Sequence, residues 1–393
     1  MSRVGTLTAA AALHVARGLV IRRDAEWVPI GEIAGRILAE PVRATVALPV
    51  AQTAAMDGWA VRAAETPGRL VLSGESAAGH PMAAPLPRSG AVRIATGAVL
   101  PTGADSVVRR EDGTEMDGVL IAPGVRDGRD ARLAGKDCRR GQVMLLPATV
   151  IRAHEVGVIV AAGHTGALCW TRPRVAIIAT GDELVPPGAE LPAGGCWDSN
   201  RPAAVAQSLE AGASLAWTAH CGDDQAVLGE LIERALSSDS GDAVDLLVTL
   251  GGVSVGRRDC VLPALRAAGV ALVVEGTTMR PGRPTRMGVR GGRRVLALPG
   301  NPAAAMVAFH LLGRPLLGRD DRWVPMPIAV PYRSHGRVDD LIRCQGTERG
   351  LMPLDAQGSA KMSSLAGADF LAWLPWGRST LRAGDLVRAS PLS

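Results

Sequence analysis

The chain has 393 residues, 47% hydrophobic, 21% charged and only 3% aromatic; at roughly 100–200 residues per domain that length calls for two to four domains, with cores of Ala, Val, Leu and Ile. The net charge of +5 comes from 43 basic and 38 acidic residues in no long run of one sign, and with so few aromatic faces this excludes a nucleic-acid tail or a single-strand-binding platform. No apolar run approaches the ~20 residues that span a bilayer, and six dispersed cysteines without CxxC spacing speak against a zinc site or a disulfide framework and for a reduced, cytoplasmic protein.

The start is Ala-rich, but His14 and Arg17 interrupt it, so Thr6–Arg22 reads as a first helix rather than a signal peptide. Glu32–Leu38, entered after Pro29, reads as a second short helix. From Pro41 to Val150 short apolar runs (Arg69–Leu72, Gly90–Ala95, Ser106–Arg110, Val119–Ala122) are separated by Gly, Pro and Asp, the pattern of a β-rich region with many turns. His154–Ala162 is helix-like and leads to a Pro-containing linker at Arg172–Arg174. Strands at Val175–Ala179, Leu246–Leu250, Leu272–Glu275 and Val295–Leu298 then alternate with helices at Ala203–Ala211, Ala226–Ala235, Asp259–Ala267 and Ala303–Leu312. Such alternation implies a parallel sheet covered on both faces. From Trp323 to Ser393 the text is β-rich again. The expected organisation is therefore multi-domain α/β. Residues 1–172 form a helical linker region with a β-rich insert at about 41–150, 173–318 a central parallel or mixed sheet with helices on both faces, and 319–393 a β-rich C-terminal domain.

The informative residues follow strands, where open α/β sheets bind ligands beyond the carboxyl ends. Three ends are marked: Thr180-Gly181-Asp182-Glu183, Gly251-Gly252-Val253-Ser254-Val255-Gly256 followed by Asp259, and Pro299-Gly300-Asn301-Pro302. Glycines let backbone approach a ligand, and N–H groups at a helix start attract phosphate. Arg280 and Arg283 flank Pro281-Gly282, which suits paired hydrogen bonds to a phosphate or another oxyanion. Asp182, Glu183 and Asp259 offer hard oxygen ligands of the kind that hold Mg²⁺ together with a substrate phosphate. Each feature also has an ordinary reading, as a strand-to-helix turn, a solvated loop or a helix cap. From spacing alone, Ala55–Arg62 and Ala95–Asp105 are turns without assignable chemistry.

Together these strings resemble the molybdopterin molybdenumtransferase family. The most specific pieces are Ala-Met-Asp-Gly-Trp-Ala-Val-Arg at 55–62, Thr-Gly-Ala-x-Leu-Pro-x-Gly-Ala-Asp at 96–105, Thr-Gly-Asp-Glu-Leu at 180–184, Asp-Ser-Asn at 198–200, Gly-Gly-Val-Ser-Val-Gly-x-x-Asp at 251–259 and Leu-Pro-Gly-Asn-Pro at 298–302. The resemblance implies a molybdopterin-binding fold and an elongated homodimer in which the insert of one subunit faces the α/β domain of the other. It also implies an activity: adenylylated molybdopterin binds, Mg²⁺ and molybdate enter, the adenylate is cleaved to release AMP, and metal is inserted into the dithiolene. The family's functional acids fall on Asp57, Asp137, Glu183, Asp223 and Asp259, its Thr on Thr96, its loop cations on Arg280 and Arg283, its C-terminal polar pair on Arg343 and Ser359, and its glycine-loop serine on Ser254. Gly251, Gly252, Pro299 and Asn301 complete the expected binding set. The pathway's adenylyltransferase and acceptor molybdoenzymes are the implied protein partners, with no nucleic acid or membrane. The chain departs from the family pattern at both loop cations, where Arg replaces Lys, at Trp59 for Tyr, at Lys136 for an acid and at Leu250 for a small polar residue. Two alternatives stay open at this level: an adenylyltransferase of the same α/β fold, against which the insert and the C-terminal domain speak, and a non-catalytic dimeric scaffold, against which the intact acids speak.

Overall fold

The computed structural model describes residues 5–237, 241–253, 259–319, 321–334 and 336–392. The chain divides into two compact units, one of residues 25–170 and one formed by the segment up to Asp24 together with Thr171 onwards.

The second of these opens with α1 (Ala9–Gly18), where Thr8 caps the N-terminus by accepting a hydrogen bond from the Ala11 N–H at its hydroxyl (3.2 Å). The expected Thr6–Arg22 helix is thus real but shorter.

The unit 25–170 contains β1 (Ala25–Pro29), β2 (Thr53–Ala54), β3 (Gly58–Val61), β4 (Gly68–Ser76), β5 (Gly90–Ile94), β6 (Ser106–Arg109), β7 (Thr114–Met116), β8 (Val119–Ala122) and β9 (Ala131–Arg132), then α2 (Ala153–Ala161) and β10 (Gly166–Trp170). Six strands make one sheet in the order β6-β3-β5-β4-β8-β7, antiparallel except for the β4–β5 pair. Its two faces bury separate clusters, one around Ala60, Val92 and Val107, the other around Val61, Leu70 and Val108, as the two-residue alternation of a strand requires. The β-rich reading of this stretch is correct. The expected helix at Glu32–Leu38 is not there: the segment is turns closed by β-bridges from Ile37 to Val150 and from Leu38 to Cys169. Gly31 and Gly35 weaken a helix, Gly35 sits at φ +77°, and the Leu38 N–H is used on Thr149 O (3.0 Å).

In the other unit the chain continues as β11 (Arg174–Thr180), α3 (Asn200–Glu210), β12 (Ser214–Cys221), α4 (Gln225–Leu236), β13 (Leu246–Leu250), α5 (Val261–Ala267), β14 (Ala271–Val274), β15 (Met279–Arg280), β16 (Arg286–Arg290), β17 (Arg293–Leu298) and α6 (Pro302–Ala308), where Pro302 opens the helix. The central sheet runs β12-β11-β13-β17-β16-β14. The first four strands are parallel, and β16 and β14 are antiparallel additions at one edge. Alternate residues of β11 face opposite cores: Val175, Ile177 and Ala179 pack with α1, α3 and α6, while Ala176 and Ile178 pack with α4 and α5. Helices therefore cover both faces, as expected. Past α6 come β18 (Val324–Pro327), β19 (Asp339–Thr347), β20 (Phe370–Leu374) and β21 (Leu386–Pro391), in a sheet ordered β15-β19-β20-β21-β18. No helix among the described residues is long and apolar enough to cross a membrane.

Candidate active site

Because β12, β11, β13 and β17 are parallel neighbours, their carboxyl ends share one edge of the sheet. The loops leaving them line a cleft of about 680 Å³, a size typical of small-molecule sites. Glu183 follows β11, Asp223 follows β12, Gly251 and Gly252 follow β13, and Pro299 and Asn301 follow β17; Asp259, before α5, also lines the cleft. Seven expected site residues from distant parts of the sequence thus meet on one surface. Ser254 lies outside the described residues.

The loops are held by backbone and side-chain bonds. Gly251 has φ +93°, and a Cβ there would stand 2.7 Å from Thr180 O, so only glycine lets the β13 loop close against β11. Asp182 does not line the cleft. Its Oδ1 accepts from the Asp223 N–H (3.0 Å), which joins the β11 and β12 loops and sets the position of Asp223. Asn200, at the start of α3, donates from Nδ2 to Gly300 O (2.7 Å), while its buried Oδ1 has no partner. The Asp198-Ser199-Asn200 string was visible in the sequence, but the unused acceptor on the cleft wall was not.

The remaining expected residues divide. Ser359 accepts at Oγ from Asn301 Nδ2 (3.2 Å), which brings the C-terminal loop to the cleft rim. Arg343 is fully buried behind that loop. It donates from Nη2 to Ala356 O and Gly358 O (3.3 and 3.4 Å), while its Nε and Nη1 have no partner. Burial lowers its pKa, opposed by the nearby Asp340 carboxylate. Arg280 is committed to a forked pair with the buried Asp340 (3.2 and 3.1 Å), and Tyr332 donates to the same carboxylate (3.1 Å). Arg283 is exposed next to Pro284, which lines the cleft, and makes no ion pair among the described residues. The two loop cations are therefore not equivalent: one is locked and one is available.

Asp57 and Thr96 belong to the unit 25–170. The structure joins them directly, with Asp57 Oδ1 accepting from the Thr96 N–H (2.6 Å). That bond is the first cause holding the Asp57 carboxyl below its ordinary range, with a smaller contribution from the charge of Arg110. Asp137 is exposed, and its N–H donates to Leu48 O (2.9 Å); no hydrogen bond links its side chain to Asp57 or Thr96 among the described residues.

Comparison with known proteins accounts for both units. A family described as the MoeA N-terminal region (domain I and II) matches residues 6–163, and one described as a probable molybdopterin binding domain matches residues 176–319. The molybdopterin molybdenumtransferase of a Nostoc species is 32% identical over 392 residues, covering 93% of this chain and 88% of that protein. Molybdopterin molybdenumtransferase 2 of Mycobacterium tuberculosis is 35% identical over 324 residues, covering 78% of this chain and 77% of its own. The solved structure of the molybdopterin biosynthesis MoeA protein from Pyrococcus horikosii superposes with a TM-score of 0.82 at 28% identity, covering 99% of this chain and all of that one. With the motifs, the fold and the relatives in agreement across nearly the whole length, the chain belongs to the molybdopterin molybdenumtransferase family, enzymes of molybdenum-cofactor biosynthesis.

Proposed function

We propose that the cleft at the carboxyl edge of the central sheet binds adenylylated molybdopterin, and that the enzyme cleaves the adenylate, releases AMP and passes molybdate to the dithiolene. The observation that carries this reading is the convergence of Glu183, Asp223 and Asp259, from three separate loops, on one cleft that also has a glycine-rich wall. The backbone at Gly251 and Gly252 lets a phosphate come close, Asn200 Oδ1 accepts from a bound donor, and Arg283 supplies an unpaired guanidinium for an oxyanion. Arg343 acts through the loop that carries Ser359.

Among the described residues no three His, Cys, Asp or Glu side chains stand close enough to hold a metal ion by themselves. Mg²⁺ takes one or two carboxylates and completes its shell with water and substrate phosphate. Glu183 and Asp259 are the carboxylates we assign to it, with Asp182 fixing the adjoining loop. Bound there, Mg²⁺ neutralises phosphate charge. Molybdate is a substrate. The protein acts as a cytoplasmic homodimer, receives its substrate from the pathway's adenylyltransferase and hands its product to acceptor molybdoenzymes.

The test is to supply purified protein with adenylylated molybdopterin, Mg²⁺ and molybdate, and to follow AMP release and metal incorporation together. Asp259→Ala is expected to lower both by about a hundredfold or more, the range for losing one preorganised charged group, with unchanged thermal melting. Near-normal turnover of that variant overturns the assignment.

A further inference from the structure

A second concave site lies within the unit 25–170, and none of the cleft residues lines it. It has a volume of about 530 Å³, and its wall carries Arg109, Arg126, Arg129, Arg132 and Lys136 against a single carboxylate, Asp130. Five cations share this wall with one lining carboxylate, and Asp112 behind Arg129 offsets only part of that excess, although like charges in a shared hollow repel. Elsewhere in the same unit some arginines are paired, such as Arg93 with Glu115, Arg62 with Glu65 and Arg36 with Glu26.

The hollow is built rather than incidental. Asp130 holds Arg109 in a two-point pair (2.8 and 3.0 Å) and stands 3.5 Å from Arg129 Nε. Arg109 is the main cause keeping the Asp130 carboxyl below its ordinary range. Arg129 is also fixed by Asp112 at 2.7 Å. The turn that presents these groups is pinned to β6 and to the residue after β2: Val107 N–H donates to Arg129 O (2.9 Å) and Ala55 N–H donates to Asp130 O (2.7 Å). Two guanidinium groups are therefore oriented in advance. Arg126, Arg132 and Lys136 are exposed and make no ion pair among the described residues. Lys136 is also one of the positions where the sequence departs from the family pattern.

We propose that this hollow is a binding site for a tetrahedral oxyanion, either a phosphate group or molybdate itself. Rigid guanidinium forks with added point charges match that ligand. No aromatic side chain lines the wall, so nothing stacks on a base and recognition stops at the anion. The hollow borders Asp57, whose backbone oxygen accepts from the Arg110 N–H (3.1 Å), so it adds an anion subsite beside the pair assigned to the shared cleft; anion binding there is read separately from turnover, which is decided at Asp259.

The experiment is calorimetric titration of the full-length protein with inorganic phosphate and, separately, with molybdate at low salt. It is done in the parent and in an Arg283→Ala background, which separates this site from the cleft. The hollow is expected to bind one equivalent of anion in both. Adding Arg126→Ala and Lys136→Ala together should weaken that equivalent at least tenfold. Neither substitution breaks an internal pair, and Arg132→Gln is an independent second variant with the same expected direction. AMP displacing phosphate where adenosine does not identifies phosphate esters as ligands, whereas displacement by molybdate alone identifies the free oxyanion. The proposal is overturned if the double variant and Arg132→Gln bind as the parent does, if the parent binds neither anion in the Arg283→Ala background, or if Arg93→Ala, whose guanidinium is already paired, weakens binding equally.

Discussion

His310 is a buried histidine with a pH consequence. It is 3% exposed, its Nε2 meets Ser390 Oγ at 3.0 Å, and Trp323 packs edge-on against its ring at 6.3 Å. Burial is the main cause that lowers its pKa from 6.5 to about 4; Asp321 opposes this and Arg314 adds to it. The folded state thus disfavours the charged ring, whereas the unfolded chain takes up the proton near 6.5. Stability from this group is complete above pH 6.5 and is lost as pH falls toward 4. At about 1.4 kcal/mol for each tenfold change in proton affinity, the loss is on the order of 3 kcal/mol. Denaturant unfolding measured from pH 7 to 4 should show this slope, and His310→Leu should flatten it. An unchanged slope in the variant would place the pH dependence elsewhere.

At the scale of elements, the cleft depends on how closely the β13 loop sits against β11. Gly251 is at φ +93°, where an L side chain is strained, and the space for its Cβ is already occupied by Thr180 O. Gly251→Ala must shift the loop that carries the binding backbone. A displacement near 1 Å is enough to cost roughly a hundredfold in turnover, while local strain of this kind costs about 1–3 kcal/mol. The expected result is therefore a large fall in AMP release with a folded, slightly less stable protein. A variant that turns over normally would show that the glycine loop does not position substrate. The same neighbourhood explains which acids were readable. Glu183 and Asp259 follow strings with visible glycine punctuation. Asp223 follows β12, seven of whose eight residues are exposed or half-exposed, so the strand lacks the apolar run that reveals β11 and β13, and only the family resemblance pointed to it.

For the whole molecule, each unit has its own hydrophobic clusters, and the Asp57–Thr96 pair belongs to a different unit from the carboxylates of the cleft. We propose that in the homodimer Asp57 and Thr96 serve the cleft of the second copy. An inactive Asp57→Ala chain and an inactive Asp259→Ala chain, isolated as a verified heterodimer, should then recover about half the turnover of one parent dimer, since one of the two shared sites carries both intact groups. No recovered activity would reject the shared site. The sequence by itself determined the alternation of strands and helices, the β-rich character of residues 41–150 and the identity of most cleft residues, because apolar periodicity and glycine punctuation are local signals. It misplaced a helix at Glu32–Leu38, where hydrogen bonds to Thr149 and Ile151 outcompete a local helix. Only tertiary structure decided that Asp182 pins a loop instead of facing the cleft, that Arg280 is locked by Asp340 while Arg283 is available, and that five cations between Arg109 and Lys136 share one hollow. Those outcomes depend on which distant groups meet, and a linear pattern carries charge and spacing but not the partner that neutralises a charge or leaves it unpaired.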